Sequence, residues 1–192
     1  MAADIVVDHS EPRATVAGAR SLSVIETVRL TLRQLDPDDS GFIVELLNDP
    51  SFIRFVGDRG VRTVDDAGRY ISDGPVASYA RHGFGLWLVQ RKDSGAPIGI
   101  CGLLKRDSLP DVDIGFAFLP PFRAEGYAYE SAAAVLAYGA AHCGLTRVAA
   151  VVNAENVASI KLLEKLGMQY ERMVRLSDTA PEIRLYAVEV GR

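Results

Sequence analysis

The sequence predicts a single α+β domain, with a mixed, strongly twisted sheet of about six to seven strands flanked by about four helices. Apolar residues make up 48% of the 192 residues, enough for a sizeable core. Short alternating runs, typical of strands, are interspersed with runs at helical spacing. No repeat or linker divides the chain. We therefore expect a domain over 25–192 after a mobile tail over 1–24, which has a candidate short strand at Asp4 to Val7.

The N-terminal half of the domain carries both patterns. Residues 26–35 predict a first strand, with Val28, Leu30 and Leu32 facing inward. A helix is expected after Asp36, because acidic residues stabilise the positive end of a helix dipole. The other predicted elements are a loop at 52–61, a second helix from Thr63 to about Tyr79 with a Gly-Pro interruption, and hairpin strands at 84–90 and 97–104.

The strongest local signal lies between residues 111 and 143. Even positions from Val112 to Phe118 are apolar, and Asp113 lies on the opposite face of this predicted strand. After a proline pair, an apolar stripe from Ala128 to Cys143 predicts a helix. The turn between them is rich in glycine and small residues. Its backbone N–H groups would converge at a positive helix end, which suits a pyrophosphate.

The C-terminal part completes the predicted sheet. Residues 146–152 predict a strand, so strand, helix and strand form a right-handed parallel unit. A helix follows from Asn156 to Leu166, with Asn156 as its candidate N-cap and Gly167 ending it. Two further runs, 168–176 and 183–190, are expected to pair antiparallel.

The turn from Arg123 to Ala128 has the form Arg-x-x-Gly-x-Ala and follows an Ile-Gly-Phe strand. With the later pair Asn156 and Ser159, it resembles the acyl-CoA signature of the GNAT superfamily of N-acetyltransferases. The pattern looks closest to the branch of the ribosomal-protein N-terminal (alanine) acetyltransferases, and it covers about 28–190. The sequence contains neither Gly-x-Gly-x-x-Gly nor Gly-x-x-x-x-Gly-Lys-Ser/Thr.

The resemblance implies an acetyl-CoA-dependent N-acetyltransferase. It would move an acetyl group to a primary amine, on a protein N-terminus or a small molecule, by direct transfer in a ternary complex. A non-catalytic acyl-CoA sensor of the same fold is the alternative. The central parallel strands would splay to admit the acyl arm, and homodimers are compatible with the family. The implied cofactor-binding residues are Phe118, Leu119, Arg123, Ala124, Gly126, Tyr127, Ala128, Asn156 and Ser159.

Two residues are candidates for the chemistry. An ammonium has no lone pair, so a base must act first, and Asp113 is the best candidate, acting through a water. The alternatives are that Asp113 is a solvated or paired strand-end carboxylate and that solvent is the base; Glu155 and His82 are weaker candidates. Ser159 is the candidate donor to the departing thiolate, since Leu163 occupies the position where another branch has a tyrosine.

Composition excludes several classes of function. Cys101 and Cys143 lie in apolar patterns, which indicates buried thiols in a reducing cytoplasm rather than a disulfide or an acyl carrier. No Cys/His cluster has metal-ligand spacing. No apolar run reaches the ~20 residues of a membrane helix, and no secretory signal is recognisable. The net charge of −4 argues against nucleic-acid binding and favours a cationic substrate.

Overall fold

A computed structural model of the chain describes residues 23–191. Its centre is one mixed sheet, in the order β1-β2-β3-β4-β5-β6-β8-β7. Only β5 and β6 run parallel among these neighbours. The strands are β1 (Ser23–Glu26), β2 (Leu30–Gln34), β3 (Leu86–Arg91), β4 (Pro97–Leu104), β5 (Asp113–Phe118), β6 (Arg147–Val152), β7 (Gln169–Val174) and β8 (Ile183–Glu189). The predicted mixed α+β class is confirmed.

The described sheet has eight strands rather than six or seven because the first predicted strand is a hairpin. β1 and β2 pair antiparallel around a tight turn, in which Thr27 N–H donates to the carbonyl of Leu30 at 2.9 Å. Val28 was predicted to face inward, but it sits at this turn and is 91% exposed. The predicted tail over 1–24, with its strand at Asp4 to Val7, lies outside the described residues, apart from Ser23 and Val24 in β1.

The described residues contain five separate helical segments, one more than predicted. They are α1 (Ser40–Leu47), α2 (Pro50–Val56), α3 (Val64–Ile71), α4 (Ala77–His82), α5 (Tyr127–Cys143) and α6 (Val157–Lys165), with α3 and α4 continuous through a π-helical segment (Ser72–Val76). The additional helix is α2, which includes part of the loop predicted at 52–61. Asp49 caps it by accepting from Ser51 N–H and Phe52 N–H, and Pro50 fits its first position.

The π-helical segment coincides with the predicted Gly-Pro interruption. Pro75 has no N–H to donate, so the regular ladder cannot continue through it. A single π-type turn accommodates the proline without ending the helix. The helical run therefore extends to His82, three residues beyond the predicted end at Tyr79.

Helices cover both faces of the sheet. On one face, Trp87 and Val89 of β3 belong to a buried cluster that includes Val135 of α5. On the other face, Leu88 packs in a second cluster with Ile43 of α1 and with residues of α3. The alternation along β3 thus buries both faces of the strand. Within residues 23–191, no helix combines the length and the hydropathy needed to cross a membrane.

The two parallel strands diverge almost as soon as they meet. β5 and β6 share a single residue pair, Asp113 with Ala149, and Ala149 N–H donates to the carbonyl of Val112 at 2.9 Å. β6 nevertheless pairs with β8 from Arg147 to Val152. The splayed central strands are therefore confirmed, and they leave a gap in the middle of the sheet.

Candidate functional site

The gap between β5 and β6 opens into a cavity of about 330 Å³. Each of the surrounding elements contributes part of the wall. The residues that matter for the chemistry are Asp113, Gly115, Phe116 and Ala117 of β5, Asn153 after β6, Asn156, Ser159 and Leu163 of the α6 region, Phe55 and Arg59 of the α2 region, Tyr70 of α3, and Arg106 after β4. The cavity brings the Asn156/Ser159 pair and the face of Asp113 into one site.

Backbone N–H groups of β5 point into the gap. Ala149 on one side donates to Val112, whereas Leu119 donates to Ile98 of β4 on the other side. Alternate residues of a strand direct their backbone groups to opposite neighbours. The even-numbered residues, including Phe116 and Phe118, therefore face the space that β6 vacates. Such fixed donors can stabilise a developing oxyanion.

The same alternation corrects one prediction. Phe118 and Leu119 were both predicted to bind the cofactor. The N–H of Leu119 donates to Ile98 at 3.0 Å, and its carbonyl accepts from Phe122 at 3.0 Å. Adjacent residues of a strand cannot both face the same side, so Phe116 and Phe118 are the pair that faces the gap.

The turn that precedes α5 has the geometry of an anion site. Ala124 has φ 62° and Gly126 has φ 81°, and Ala124 is the one non-glycine residue with positive φ between residues 23 and 191. α5 starts at Tyr127, and no side chain of the described residues caps its first N–H groups. Consecutive turns of this kind form a concave row of amides at the positive end of a helix, which favours phosphate.

Gly126 could not be replaced without strain. Its positive φ disfavours any L side chain, and an added Cβ would lie 3.2 Å from Nη2 of Arg29. Arg29 also stacks 4.4 Å above the Tyr127 ring and holds Glu130 through Nε at 2.6 Å. The β1–β2 turn is thereby fixed to the first turn of α5. Ala128, the next residue, packs against the core below.

Arg123, whose side chain is 39% exposed, braces the turn from the protein surface. Its Nε donates to the carbonyl of Phe118 at 2.8 Å, Nη1 to Ser51 Oγ at 2.6 Å and Nη2 to Asp49 at 2.6 Å. Burial pushes the pKa of Asp49 upward, but hydrogen bonds from Ser51 and Arg123 outweigh it and hold that pKa below its usual value. The guanidinium links the end of β5 to the start of α2. Arg123, which the resemblance implies to be a cofactor-binding residue, therefore braces the turn through contacts within the protein.

Asp113 lies on the cavity floor, with its side chain 1% exposed. Its two oxygens accept from Nε of Arg106 at 2.8 and 3.1 Å. Burial raises the pKa of this carboxyl, and the charge of Arg106 opposes the rise. The sequence left open whether Asp113 is a base or a paired carboxylate. In the structure the two are not exclusive, because Asp113 pairs with Arg106 and also lines the cavity. A raised pKa makes a carboxylate a stronger base.

The start of α6 supplies two further polar groups. Oδ1 of Asn156 accepts from the N–H of Ser159 at 3.2 Å and caps the helix, as predicted for an N-cap asparagine. The amide nitrogen of Asn156 and the hydroxyl of Ser159 have no partner among residues 23–191, and both residues line the cavity. Leu163 is buried one turn further along the same wall.

The weaker candidates for base or acyl carrier are placed elsewhere. Glu155 forms an exposed ion pair with Arg54 at 3.0 Å. His82 stacks on Phe84 and lines a separate cavity of about 270 Å³. Cys101 is buried, which raises the pKa of its thiol to about 12, and Cys143 is partly buried; both are free thiols. A thiol with so high a pKa is a poor nucleophile at neutral pH.

Sequence reasoning missed four polar cavity residues, which are Arg59, Tyr70, Arg106 and Asn153. Within the predicted loop at 52–61, Phe55 also lines the cavity, whereas Arg54 and Asp58 form surface ion pairs. The register of the β4–β5 pair would have indicated Arg106. Leu104 is paired with Asp113, and Arg106 follows shortly after Leu104 in the chain. Arg59 and Tyr70 come from the α2–α3 region, and no local pattern signals that they converge on the cavity.

Known proteins resemble this chain in sequence and in fold. A family model described as "Acetyltransferase (GNAT) domain" matches residues 29–169, which is more than half of the chain. The uncharacterized N-acetyltransferase YoaA of Bacillus subtilis (strain 168) is 29% identical over 153 residues, covering 79% of this chain and 86% of YoaA.

Solved structures share the fold. An acetyltransferase of Agrobacterium tumefaciens str. C58 has a TM-score of 0.74 at 22% identity, covering 88% of this chain and 95% of its own. RimL, a ribosomal L7/L12 alpha-N-protein acetyltransferase in complex with coenzyme A, also has a TM-score of 0.74, at 14% identity, covering 85% of this chain and 96% of its own. With the family match over most of the domain, the chain belongs to the GNAT acetyltransferases and is an acetyltransferase enzyme.

Proposed function

We propose that the protein transfers an acetyl group from acetyl-CoA to a primary amine, by direct transfer in a ternary complex. One observation carries the proposal. The splayed gap presents backbone donors of β5 to a cavity that also contains a buried carboxylate, Asp113, and two free polar groups on α6. The crystallised RimL complex with coenzyme A supports acyl-CoA as the donor.

The donor would bind along the gap. Its pyrophosphate would accept hydrogen bonds from the amides of the turn that contains Ala124 and Gly126. The pantetheine arm would pair with the backbone of Phe118, and the thioester oxygen would accept from the N–H of Phe116. Arg123, which holds both Phe118 and Asp49, would keep the turn and the strand in register.

Four changes must occur in the transfer. The amine loses a proton to Asp113, directly or through a water, and its lone pair attacks the thioester carbonyl carbon. The N–C bond forms and the C–S bond breaks. The sulfur leaves as a thiolate, which the Ser159 hydroxyl and the positive end of α6 stabilise. The thiolate finally takes up, through solvent, the second proton that the acylated nitrogen releases as the amide forms. The buried Cys101 has no part in this scheme.

An acyl-CoA sensor is the second candidate function, since the same turn and gap would serve it. The cavity polar groups favour the enzyme, because a sensor needs neither a buried carboxylate nor a free hydroxyl beside the sulfur. The two free thiols are consistent with the predicted cytoplasmic setting, and a homodimer stays a prediction from the family.

Initial rates of CoA release, measured against both substrates, test the proposal. Amines should be screened as N-terminal peptides, amino acids, polyamines and aminoglycosides, with acetyl-CoA binding monitored by thermal shift. We expect amine-dependent CoA release with intersecting double-reciprocal plots. A protein that is stabilised by acetyl-CoA but releases CoA with none of the amines would be a sensor. Parallel plots would instead indicate an acetyl-enzyme intermediate.

A further inference from the structure

The charged side chains of the cavity are not balanced. Among its lining residues in the described part, the cationic ones are Arg59 and Arg106 and the one carboxylate is Asp113. Arg106 and Asp113 compensate each other, with the guanidinium Nε 2.8 Å from the carboxylate. Arg59 is left as an excess positive charge on the wall.

Nearby carboxylates do not neutralise Arg59. Asp58, the preceding residue, forms its ion pair with Arg62. Glu155, the residue before Asn156, forms its ion pair with Arg54. Within residues 23–191, Arg59 has no hydrogen-bond or ion-pair partner, although it lines the cavity.

Arg106 also has donors to spare. Only its Nε is engaged by Asp113, so both terminal nitrogens lack a partner among the described residues. The Tyr70 phenol lies within the electrostatic reach of both guanidinium groups. Burial raises the pKa of Tyr70, and the positive charges of Arg59 and Arg106 oppose that rise. Arg59, Arg106 and Tyr70 thus present several unengaged donors to one region of the cavity.

On the basis of the proposed function, we infer that the acceptor is a primary amine bearing a carboxylate, which Arg59 and the terminal nitrogens of Arg106 bind. Guanidinium groups match carboxylates in shape and charge. A polycationic amine would meet an excess positive charge, which disfavours its binding. The cavity therefore reverses the preference for a cationic substrate that the net charge of −4 indicated. The charges that line the cavity affect a bound acceptor more than the net charge of the whole chain does, because exposed charges more than about 10 Å away are largely screened.

Matched acceptor pairs test this inference. One pair is β-alanine and β-alaninamide, which represents a free amino acid. The other is the dipeptide amides Ser-Glu-NH₂ and Ser-Gln-NH₂, which represent an acidic peptide N-terminus. We expect kcat/KM to be about tenfold higher, ~1.4 kcal/mol, for the carboxylate member of at least one pair. The pair that shows the preference identifies the source of the carboxylate.

The variant Arg59→Gln should remove most of that preference while leaving the thermal shift by acetyl-CoA unchanged. Arg69→Gln is the matched control, because Arg69 carries the same charge next to Tyr70 in sequence but lies outside the cavity, 68% exposed. The control should keep the full preference. Equal loss in both variants, or no preference in the wild-type protein, would overturn the inference and leave the proposed function intact.

A binding measurement separates failure of the inference from failure of the proposed function. Calorimetry on the CoA-saturated protein would compare N-acetyl-β-alanine with its amide, in the wild type and in Arg59→Gln. Tighter, Arg59-dependent binding of the carboxylate supports the inferred site. If no amine is acetylated, the proposed function fails, and this comparison still decides the site. Equal affinities for acid and amide would refute it.

Discussion

Arg106 holds both oxygens of the Asp113 carboxylate through a single nitrogen, Nε, at 2.8 and 3.1 Å. The pair lies at the closed end of the gap, beside the one residue pair that joins β5 to β6. This contact fixes the orientation of the carboxylate and compensates its charge, while leaving lone pairs on both oxygens. A buried carboxylate with free lone pairs can still accept a proton.

Asp113→Asn should lower kcat about 10²-fold at neutral pH, because a positioned general base typically contributes ~10²–10⁴-fold. The loss should shrink as pH rises, since more of the amine is then already deprotonated. Asp111→Asn is the control: Asp111 also pairs with an arginine, Arg147 at 3.0 Å, but it does not line the cavity. Steady-state rates from neutral to alkaline pH give the comparison. A loss that is uniform with pH, or shared by Asp111→Asn, would indicate a structural role.

The raised pKa of Asp113 also predicts a pH dependence of stability. The folded state binds this proton more tightly than the unfolded chain, whose aspartates titrate near pKa ~3.9. Its contribution to the free energy of unfolding is therefore fully present below that value and is lost as pH rises through the raised folded pKa. Denaturant titrations should show this decrease in the wild type and lack it in Asp113→Asn. An identical profile in both proteins would mean that Asp113 titrates normally.

Gly126→Asp should abolish the thermal shift caused by acetyl-CoA, because it places bulk and negative charge where the phosphates would lie. Gly144→Asp is the matched control: Gly144 ends the same helix with φ 65°, so the backbone strain is similar, but it lies at the opposite terminus. Each variant should lose about 1 kcal/mol of stability. Thermal melts with and without acetyl-CoA separate the two effects, and an equal shift in both variants would refute the anion site.

Ser159→Ala and Asn156→Ala should affect different constants. Removing the Ser159 hydroxyl should lower kcat about tenfold, or ~1.4 kcal/mol, with acetyl-CoA affinity little changed, since the hydroxyl would contact only the developing thiolate. Removing the Asn156 side chain should weaken acetyl-CoA binding and cost about 1 kcal/mol of helix capping. Kinetics and calorimetry on both variants test the division. Full kcat in Ser159→Ala would assign thiolate stabilisation to solvent.

Arg123→Ala should destabilise the protein by about 1.5–3 kcal/mol, because it leaves the nearly buried Asp49 carboxylate without its charged partner. It should also weaken acetyl-CoA binding by loosening the turn from β5. Arg175→Ala serves as control, since Arg175 and Glu182 form an exposed pair at 3.5 Å, and its removal should change stability by ~0.5 kcal/mol or less. Urea denaturation compares them, and equal small effects would contradict the bracing role.

Local patterns predicted the features that local physics controls. The alternation of Leu30 and Leu32, the Asn156 cap and the glycine of the Arg123–Ala128 turn each depend on neighbours in sequence, and all three are found in the structure. The mixed sheet was predicted from the order of the strands and helices along the chain.

Features that depend on distant partners could not be predicted in the same way. The hairpin turn at Val28 is apolar, and only its clamp onto Glu130 of α5 explains why the strand is broken there. The ion pair of Arg106 with Asp113, and the convergence of Arg59 on the same cavity, depend on tertiary packing. The direction of the Leu119 amide depends on the strand register, which the sequence does not specify.

Product analysis with trideuteroacetyl-CoA tests the central claim most directly. The purified protein, trideuteroacetyl-CoA and a carboxylate-bearing amine such as β-alanine or Ser-Glu-NH₂ would be incubated together, and both the amine and the intact protein examined by mass spectrometry. We predict that the label appears on the amine nitrogen, one for each CoA thiol released, and that Asp113→Asn slows its appearance while Asp111→Asn does not. Label retained on the protein, or CoA release without labelled amine, would contradict direct transfer to an amine.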